Sequence, residues 1–438
     1  MTHLSRRSLL KLGALAGLAT TTAVSTTACS GVGAGSSSTD GKTAIRYGFW
    51  GNNVRQQNYT KAWDQFQAEH SDIAIEIEFA EYAAFQERMT TQMAARNVPE
   101  VFWIAAPQVM TYDKNGLYHD IEGIDTLKLD DFSPEDLDGF KLNGKLNTMP
   151  MGIFVPVLRY NQSEAERAGV KLPADGSAWS WDTVAEIATD FSKDNAKLKG
   201  LAYNADTDLP FESWVRQHGE QLWTEDGRPG FTADTLAAWL SWWDKLQKSG
   251  GCLTLSEQDG ATADWSVIGS KVLMNVGNSN HIIDDAKMYP ESTFALRHMP
   301  TIANPTAGYQ YLYTPRLAIY SGTADDKLSA AGSIIDYNIN NVEMLKTVGL
   351  TIGAPTNPRL AKEVEAFATA TEKQMLTVVA DDRNLTDRKP RHEAPPGSST
   401  WRTTFTRVCE EVSLGKSSPS QAANTMIAEI STGIQRAA

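Results

Sequence analysis

The chain has 438 residues, a length that favours two domains, and 41% of them are hydrophobic and 21% charged. This composition is typical of a globular protein with a sizeable core, and it excludes wholesale disorder and a collagen-like fibre. The 40 basic and 53 acidic residues give a net charge of −13, which argues against nucleic-acid binding and against a polybasic membrane surface.

The first 28 residues are typical of an export signal. They have a basic start, an apolar run over residues 9–19 and then small residues. The apolar run is too short to span a bilayer as a permanent helix. Residues 5–11 resemble the twin-arginine export motif, with Leu9 where Phe is common. Because the segment holds three basic residues and no acidic one, its removal would leave a net charge of −16.

Cys29 directly follows this segment and is the expected site of lipidation. Ala28 and Cys29 resemble the end of a lipobox, although Thr26 stands where Leu is usual. Residues 29–42 then form a Gly/Ser-rich flexible tether, as expected between an anchor and a folded body. Two acyl chains on Cys29 would suffice for stable anchoring. The alternative is ordinary cleavage with Cys29 discarded or left free.

The first part of the folded chain alternates between strand and helix patterns. The spacing of apolar residues predicts strands and helices in the order strand 45–51, helix 59–70, strand 73–79, helix 84–96 and strand 99–104. This order predicts βαβ units, a parallel sheet and an α/β fold.

The rest of the chain is predicted to be mostly helical. Ser180 is expected to cap a helix, and residues 418–421 form a capping box before the last helix. Helix 234–248 carries an apolar stripe of Leu236, Trp239, Leu240, Trp243 and Leu246, in which Trp239 and Trp243 are expected to be core residues. Strands are expected at 271–276, 294–298 and 309–320. The polar, proline-containing stretch 381–399 is expected to be a surface loop.

Metal and cofactor motifs are not found. None of the seven histidines pair at helical spacing, and the sequence has no nucleophile elbow, phosphate loop or acidic calcium loop. No metal and no cofactor are therefore predicted. Cys252 and Cys409 are the remaining cysteines, and the sequence leaves open whether they form a disulfide or stay free.

Six sequence features, in order, resemble the family 1 extracellular solute-binding proteins of ABC importers, which are carbohydrate-binding lipoproteins related to maltose-binding protein. The first is the opening strand and helix pattern. The other five are residues 115–121, residues 144–150 followed by 158–161, residues 179–182, residues 211–214 with Gly219, and residues 269–274. The resemblance covers nearly all of the chain after the tether.

The resemblance implies two α/β lobes with a ligand cleft and hinge crossovers. On the family pattern, one lobe comprises residues 43–156 and 314–354, and the other comprises 157–313 and 355–438. Ligands of open α/β sheets lie beyond the carboxyl ends of the strands, and hinge closure of two such lobes would bury the solute.

In the first lobe, candidate ligand residues come from the ends of the first three strands. They are Trp50, Asn52, Asn53, Glu81, Tyr82 and Trp103. Aromatic rings offer faces to the C–H surface of a sugar, and a carboxylate can accept several hydroxyl groups. The alternatives are core packing for the tryptophans, helix capping for the asparagines, and a solvated or packed position for the residues after the second strand.

The candidate ligand residues of the second lobe and the crossovers have the same kinds of side chain as those of the first lobe. They are Phe154, Glu212, Trp214, Arg216, Asn278, Asn280, His281, Tyr311 and Tyr313. They combine aromatic faces with hydrogen-bonding groups, as ligand pockets do.

The resemblance implies a non-enzymatic, lipid-anchored and monomeric binding component of a sugar importer, exported to the outer face of the cell membrane. It would capture a carbohydrate, an oligosaccharide in particular, and deliver it to the permease subunits of an ABC transporter. One alternative is a secreted glycoside-processing enzyme, with Glu81 and Glu212 as its carboxylates about 5–10 Å apart. Another is a scaffold whose cleft has lost its ligand.

Overall fold

The described part of the chain forms two larger β-sheets, a small two-stranded sheet, and helices that pack against them. The computed structural model describes residues 41–174, 177–258 and 268–437. The predicted export signal 1–28, Cys29 and all but the end of the predicted tether lie outside the described residues. Within the described ranges, no helix is long and apolar enough to cross a membrane.

Strands and helices follow one another along the whole described chain. The strands are β1 (Thr43–Trp50), β2 (Ile73–Ala80), β3 (Val101–Ile104), β4 (Lys141–Leu142), β5 (Lys145–Leu146), β6 (Met149–Pro150), β7 (Pro156–Asn161), β8 (Lys199–Leu201), β9 (Val272–Asn278), β10 (Phe294–His298) and β11 (Arg316–Ile319). The α-helices are α1 (Asn53–Glu69), α2 (Tyr82–Ala94), α3 (Val109–Lys114), α4 (Pro134–Asp138), α5 (Gln162–Arg167), α6 (Trp181–Asp194), α7 (Asp208–Gln217), α8 (Ala233–Lys248), α9 (Leu255–Gln258), α10 (His281–Met288), α11 (Leu328–Asn340), α12 (Val342–Val348), α13 (Pro358–Glu363), α14 (Ala370–Arg383), α15 (Trp401–Ser413) and α16 (Pro419–Ala437).

The first sheet has the strand order β2-β1-β3-β11-β6. Strand β1 runs parallel to both β2 and β3, which confirms the predicted βαβ arrangement. Strand β11, from much later in the chain, runs antiparallel to β3 and β6. Because β1, β2 and β3 are parallel, their carboxyl ends lie at one edge of the sheet, where ligands of α/β proteins bind.

Alternating side chains of β1 form part of the core of the first sheet. Tyr47 and Phe49 are fully buried, and the Tyr47 ring centroid lies 4.7 Å from that of Trp63 in α1. The indole N–H of Trp103 in β3 donates to the Tyr47 hydroxyl at 2.7 Å. The Trp103 indole and the Tyr47 hydroxyl are therefore partnered within the core, which fixes the orientation of the β3 end.

The second sheet has the order β10-β7-β9-β8 and is mixed, since β7 is antiparallel to β9 and β8 is parallel to β9. The predicted apolar stripe of α8 is confirmed, because all five of its residues are buried. The indole N–H of Trp239 donates to the Ala205 carbonyl oxygen at 2.7 Å. Helix α8 thereby anchors the loop that precedes α7.

Three chain segments pass side by side between the two sheets. Ile153 and Ala354 exchange backbone hydrogen bonds of 2.8 and 2.7 Å, and Phe154 and Tyr313 exchange bonds of 3.0 and 2.9 Å. Gly353 has φ +112°, and a Cβ atom there would lie 2.2 Å from the Ile153 carbonyl oxygen, so only glycine fits. We call the part around the first sheet the first lobe and the part around the second sheet the second lobe. The predicted lobe boundaries fall in or next to these segments and stay a prediction.

Most predicted elements are confirmed, but two expectations need correction. Ser180 caps α6 by accepting from the Thr183 backbone N–H, and the reciprocal bonds of the capping box at 418–421 are present. The strand expected over 309–320 is limited to β11, because residues before Pro315 belong to a crossover. The surface loop expected over 381–399 was wrong in part, because its first three residues end α14 and part of the remainder is buried.

The two cysteines of the folded part are buried and free. Burial raises the pKa of the Cys252 thiol to about 12. Cys409 is also fully buried, and burial raises its pKa. Both thiols are therefore protonated at neutral pH and act as small apolar core groups.

The buried ion pair between Arg159 of β7 and Asp285 of α10 provides a test of the second lobe. Both side chains are fully buried. Asp285→Asn leaves the guanidinium without its carboxylate, so we expect the free energy of unfolding to fall by about 3–5 kcal/mol. Denaturant unfolding followed by circular dichroism measures this. Asp190→Asn, in an exposed pair with Lys193, is the control and should cause little change; a similar loss in both variants would contradict the argument.

Candidate functional site

A narrow cavity lies between the two lobes. On the first-lobe side it is lined by Ala106 and Pro107, which follow β3. The other lining residues are Asp208, Leu222, Trp223, Tyr313, Arg391, Ala394 and Trp401. The cavity measures about 10 Å³, roughly the space of one water molecule. Since it lies at the carboxyl-end edge of the first sheet, it marks the expected ligand position, but a sugar could enter only if the lobes separated.

Four alternating charges line one wall of this cleft. Both carboxylate oxygens of Glu212 accept from Arg391, from Nε at 2.9 Å and from Nη2 at 3.0 Å. Arg391 Nη1 also donates to Glu393 at 3.4 Å, and Glu393 accepts in turn from Arg316 of β11. Burial raises the pKa of Glu212, and the Arg391 charge opposes that rise. The chain of charges connects α7 in the second lobe with the first sheet.

Arg402 of α15 forms a contact across the cleft. Its Nε donates to Asp208 Oδ2 at 3.0 Å, and its Nη1 donates to the Tyr82 hydroxyl at 2.8 Å. The guanidinium carbon lies 5.4 Å from the centroid of the Tyr82 ring, within the range of a cation–π interaction. Burial lowers the pKa of Arg402, but the Asp208 carboxylate more than offsets this and raises it above its ordinary value. Because Tyr82 begins α2 of the first lobe, a charged group of one lobe holds a hydroxyl of the other.

Arg216 fixes the base of the cleft. Its Nε, Nη1 and Nη2 donate to the carbonyl oxygens of Tyr309, Pro390 and Lys389 at 2.8, 3.0 and 2.7 Å. Its guanidinium carbon lies 5.4 Å from the Tyr311 ring. Arg216 therefore holds the loop that carries Arg391, and its role is positioning.

The first-lobe candidates form an aromatic corner beside this contact. The Trp50 ring centroid lies 5.1 Å from that of Trp103 and 5.7 Å from that of Tyr82, edge to face in both cases. Trp103 is fully buried, whereas Trp50 and Tyr82 are half-buried. Trp50 and Tyr82 are thus the rings of this corner that a ligand could reach.

Three polar candidates lie around the same strand ends. Asn52 caps α1 by accepting from the Arg55 backbone N–H at 2.9 Å, so the helix-capping alternative applies to it. Asn53 is exposed at the first turn of that helix. Glu81 is exposed just before α2, and its side chain makes no cap hydrogen bond.

Trp214 lies in the core of the second lobe and is not one of the residues that line the cavity. Its indole N–H donates to the Thr235 carbonyl oxygen at 3.2 Å. Its ring lies 5.7 Å from Trp181 and 5.6 Å from Trp239. Trp214, proposed from the sequence as a ligand residue, is 6% exposed and packs among these rings as a core residue.

The candidates after β9 lie near the third crossover. Asn280 Nδ2 donates to the Thr351 carbonyl oxygen at 2.6 Å. Burial lowers the pKa of His281 well below its ordinary value, so the imidazole is neutral. Asn278 ends β9 and is half-buried. These residues lie in the crossover region. Phe154 lies beside the cavity instead, where its ring stacks on that of Tyr313 with the ring centroids 5.0 Å apart.

Sequence reasoning missed the residues that carry most of the charge and ring surface in the cleft. They are Asp208, Trp223, Arg391, Glu393, Trp401 and Arg402. Arg391 and Glu393 lie in the stretch expected to be a surface loop, and their partners are far away in sequence. No pattern among residues that are close together in the sequence predicts such pairing. The first-turn position of Asp208 and the position of Trp401 at a helix start were the available signals.

Comparison with known proteins identifies the family and the fold. The family model described as bacterial extracellular solute-binding protein matches residues 61–374, well over half of the chain. A family 1 extracellular solute-binding protein from Alicyclobacillus acidocaldarius is 24% identical, with a TM-score of 0.63 and coverage of 90% of this chain and 99% of that chain.

Two further solved structures share the fold. A periplasmic oligogalacturonide binding protein from Yersinia enterocolitica is 16% identical, with a TM-score of 0.78 and coverage of 90% of this chain and 100% of that chain. The GacH receptor of Streptomyces glaucescens is 15% identical, with a TM-score of 0.75 and coverage of 90% and 99%. These likenesses confirm the two-lobed periplasmic-binding-protein fold. The family match confirms the resemblance found in the sequence: the chain belongs to the bacterial extracellular solute-binding proteins.

Proposed function

We propose that the protein is the binding component of an ABC sugar importer, which captures a carbohydrate, an oligosaccharide in particular, between its lobes and delivers it to a membrane permease. The observation that carries the proposal is the cleft itself, where aromatic rings and arginine–carboxylate pairs from both lobes converge. Rings that pack on sugar C–H faces and fixed polar groups that bind hydroxyls are the two requirements of a sugar site.

The ligands named for proteins of the same fold support this substrate class. The Yersinia structure was solved with saturated digalacturonic acid and the GacH receptor with acarbose. A Listeria monocytogenes substrate-binding protein was solved with cycloalternan. Identities of 15–16% establish a shared fold alone, so the side chains of this cleft must supply the argument for its own ligand.

Opening and closing would occur about the three crossover segments. The cavity is too small for a sugar, and Arg402 and Tyr82 join the lobes directly. Ligand capture therefore requires an open form in equilibrium with this closed one. We place the lobes at 43–156 with 314–354 and at 157–313 with 355–438, because these boundaries fall in or next to the hydrogen-bonded segments.

Export and membrane attachment complete the proposal. A twin-arginine signal over residues 1–28, lipidation of Cys29 and the tether up to residue 42 would hold a monomeric binding protein at the outer face of the membrane. The tether allows the folded part to reach the permease while it stays anchored.

The glycoside-processing alternative fits this cleft less well. It requires an acid and a second carboxylate about 5–10 Å apart on either side of a bond. Both oxygens of Glu212 accept hydrogen bonds from Arg391, and Glu81 is exposed at the start of α2. An ion-paired carboxylate is poorly suited to act as a proton donor.

A thermal-shift screen of the folded part from residue 43 tests the proposal directly. Mono- and oligosaccharides are added in turn, and a ligand at 100 times its Kd should stabilise the protein by about 2.7 kcal/mol. We expect a shift with a sugar that chromatography then recovers intact. Recovery of a cleaved sugar would support the enzyme alternative, and no shift with any sugar would contradict the carbohydrate proposal.

Replacement of Trp50 tests the aromatic corner. Trp50→Ala should weaken binding of the sugar found in the screen by about 1–3 kcal/mol, the scale of burying an aromatic side chain. Trp242→Ala is the control. Trp242 belongs to α8 and is also half-buried, but its ring packs against Trp181 and Trp243. Isothermal titration calorimetry measures both affinities. Equal affinity in wild type and Trp50→Ala would remove Trp50 from the site.

Replacement of Arg402 tests the contact across the cleft. Arg402→Gln loses the charge-assisted bond to Tyr82. Without added sugar, the free-energy difference between the closed and open forms should therefore shift by about 1.5–3 kcal/mol toward the open form. Small-angle X-ray scattering should then show a larger radius of gyration. Arg407→Gln is the control, because Arg407 lies on the same helix and forms ion pairs with Glu411 and Glu429 only at the surface. An unchanged radius in Arg402→Gln would contradict the assignment.

A further inference from the structure

We infer that the cleft selects electrically neutral sugars and rejects anionic ones. Arg391, which lines the cavity, and Arg402, the partner of the cavity-lining Asp208, are already paired with the protein's own carboxylates, Glu212 and Asp208. The inference rests on the proposed function and assigns Asp208 and Glu212 as residues that determine specificity. The fold alone leaves this choice open, since one protein of the same fold was solved with digalacturonic acid and another with acarbose.

Arg391 directs most of its hydrogen bonds to protein carboxylates. Two of its nitrogens form a fork with the two oxygens of Glu212 at 2.9 and 3.0 Å, and the third donates to Glu393 at 3.4 Å. The Glu212 side chain is 3% exposed and that of Arg391 is 18% exposed. A guanidinium has five N–H donors, so Arg391 keeps donors for a hydroxyl while its charge is balanced.

Arg402 repeats the arrangement with Asp208, which lines the cavity. Its Nε and Nη2 both contact Asp208, and its Nη1 donates to the Tyr82 hydroxyl. The Tyr82 hydroxyl accepts from the guanidinium, and Tyr82 is half-buried, so a ligand hydroxyl could take its place as the acceptor. The group that Arg402 holds across the cleft is therefore an alcohol-like oxygen and not an anion.

The remaining cleft arginines are also engaged by protein oxygens. Arg216 donates from all three nitrogens to main-chain carbonyls, and Arg316 donates to Glu393 and to the Thr148 hydroxyl. Arg391, Arg402 and Arg316 face Glu212, Asp208 and Glu393, three cations against three anions. Each of these three guanidinium groups thus has a carboxylate partner, whereas the fourth arginine, Arg216, is held by main-chain carbonyls.

A charged and a neutral ligand meet this wall differently. A ligand carboxylate could displace Asp208 or Glu212 from its arginine, which would leave the displaced residue as an unpaired buried anion. If the ion pair stays intact, the ligand carboxylate is repelled by the like charge of Asp208 or Glu212. A ligand hydroxyl accepts from a spare guanidinium N–H and donates to a free carboxylate lone pair, so no ion pair is broken. The wall therefore favours hydroxyls over carboxylates.

Matched pairs of sugars test the inference in the wild-type protein. Each pair consists of a neutral disaccharide and its counterpart oxidised to the acid at C6: galactobiose with digalacturonic acid, and maltose with its glucuronic acid form. Titration calorimetry at pH 7 should show at least tenfold tighter binding of the neutral member of any pair that binds. Equal or tighter binding of the acid would overturn the inference and leave the proposed function intact. Failure of every pair, and of the wider sugar screen, would overturn the proposed function and the inference with it.

Asp208→Asn tests the responsible residue. With the counter-ion removed, Arg402 becomes available to a ligand carboxylate, so the preference for the neutral sugar should fall about tenfold or reverse. Asp244→Asn is the control for net charge, because Asp244 pairs with Lys248 at 2.7 Å on the exposed side of α8. A shift of the same size in both variants, or none in Asp208→Asn with its folding confirmed by thermal unfolding, would overturn the assignment.

Discussion

The cleft depends on the hydrogen-bonded contact of three crossover segments between the sheets. Residues 153 and 154 pair with residues 354 and 313 through their backbones, and Gly353 allows the close approach. Backbone pairing fixes the position of each segment whatever its side chains are. The crossover segments also bring Phe154 and Tyr313 to the cavity region. The crossovers therefore determine both the axis about which the lobes could move and the base of the site.

Charge balance is the second constraint on the cleft. Removing a charge from water costs several kcal/mol unless it is paired, so an interior with several arginines needs carboxylates in similar number. Arg391 and Arg402 obtain them from α7, which supplies both Glu212 and Asp208 within its first turns. Two residues four positions apart on one helix thus place two negative charges along the wall. The loop after α14 and the start of α15 are held there by these charges.

The sequence predicts regular elements well because their signals are local. The period-two pattern of β1, the stripe of α8 and the capping box before α16 depend on residues a few positions apart. It also places Tyr82 at a strand end, Glu212 around a helix start and Tyr313 on a crossover. Arg391 and Arg402 could not be found this way, because their partners Glu212, Asp208 and Tyr82 lie 179, 194 and 320 positions away. Trp214 shows the reverse error, since a ring at a helix start resembles a ligand group until the core around it is known.

The contact between Arg402 and Tyr82 links closure to the choice of ligand. A ligand that enters the cleft replaces this protein–protein contact, so only the difference between the two contributes to affinity. A sugar hydroxyl can take the place of the Tyr82 hydroxyl as acceptor while Asp208 keeps its ion pair. The exchange is then nearly balanced at this point, and the half-buried ring of Trp50 supplies the net gain by burying sugar C–H surface. An anion would instead have to compete with Asp208 for the same guanidinium. The contact that holds the two lobes together is therefore also the contact by which the cleft distinguishes hydroxyls from carboxylates.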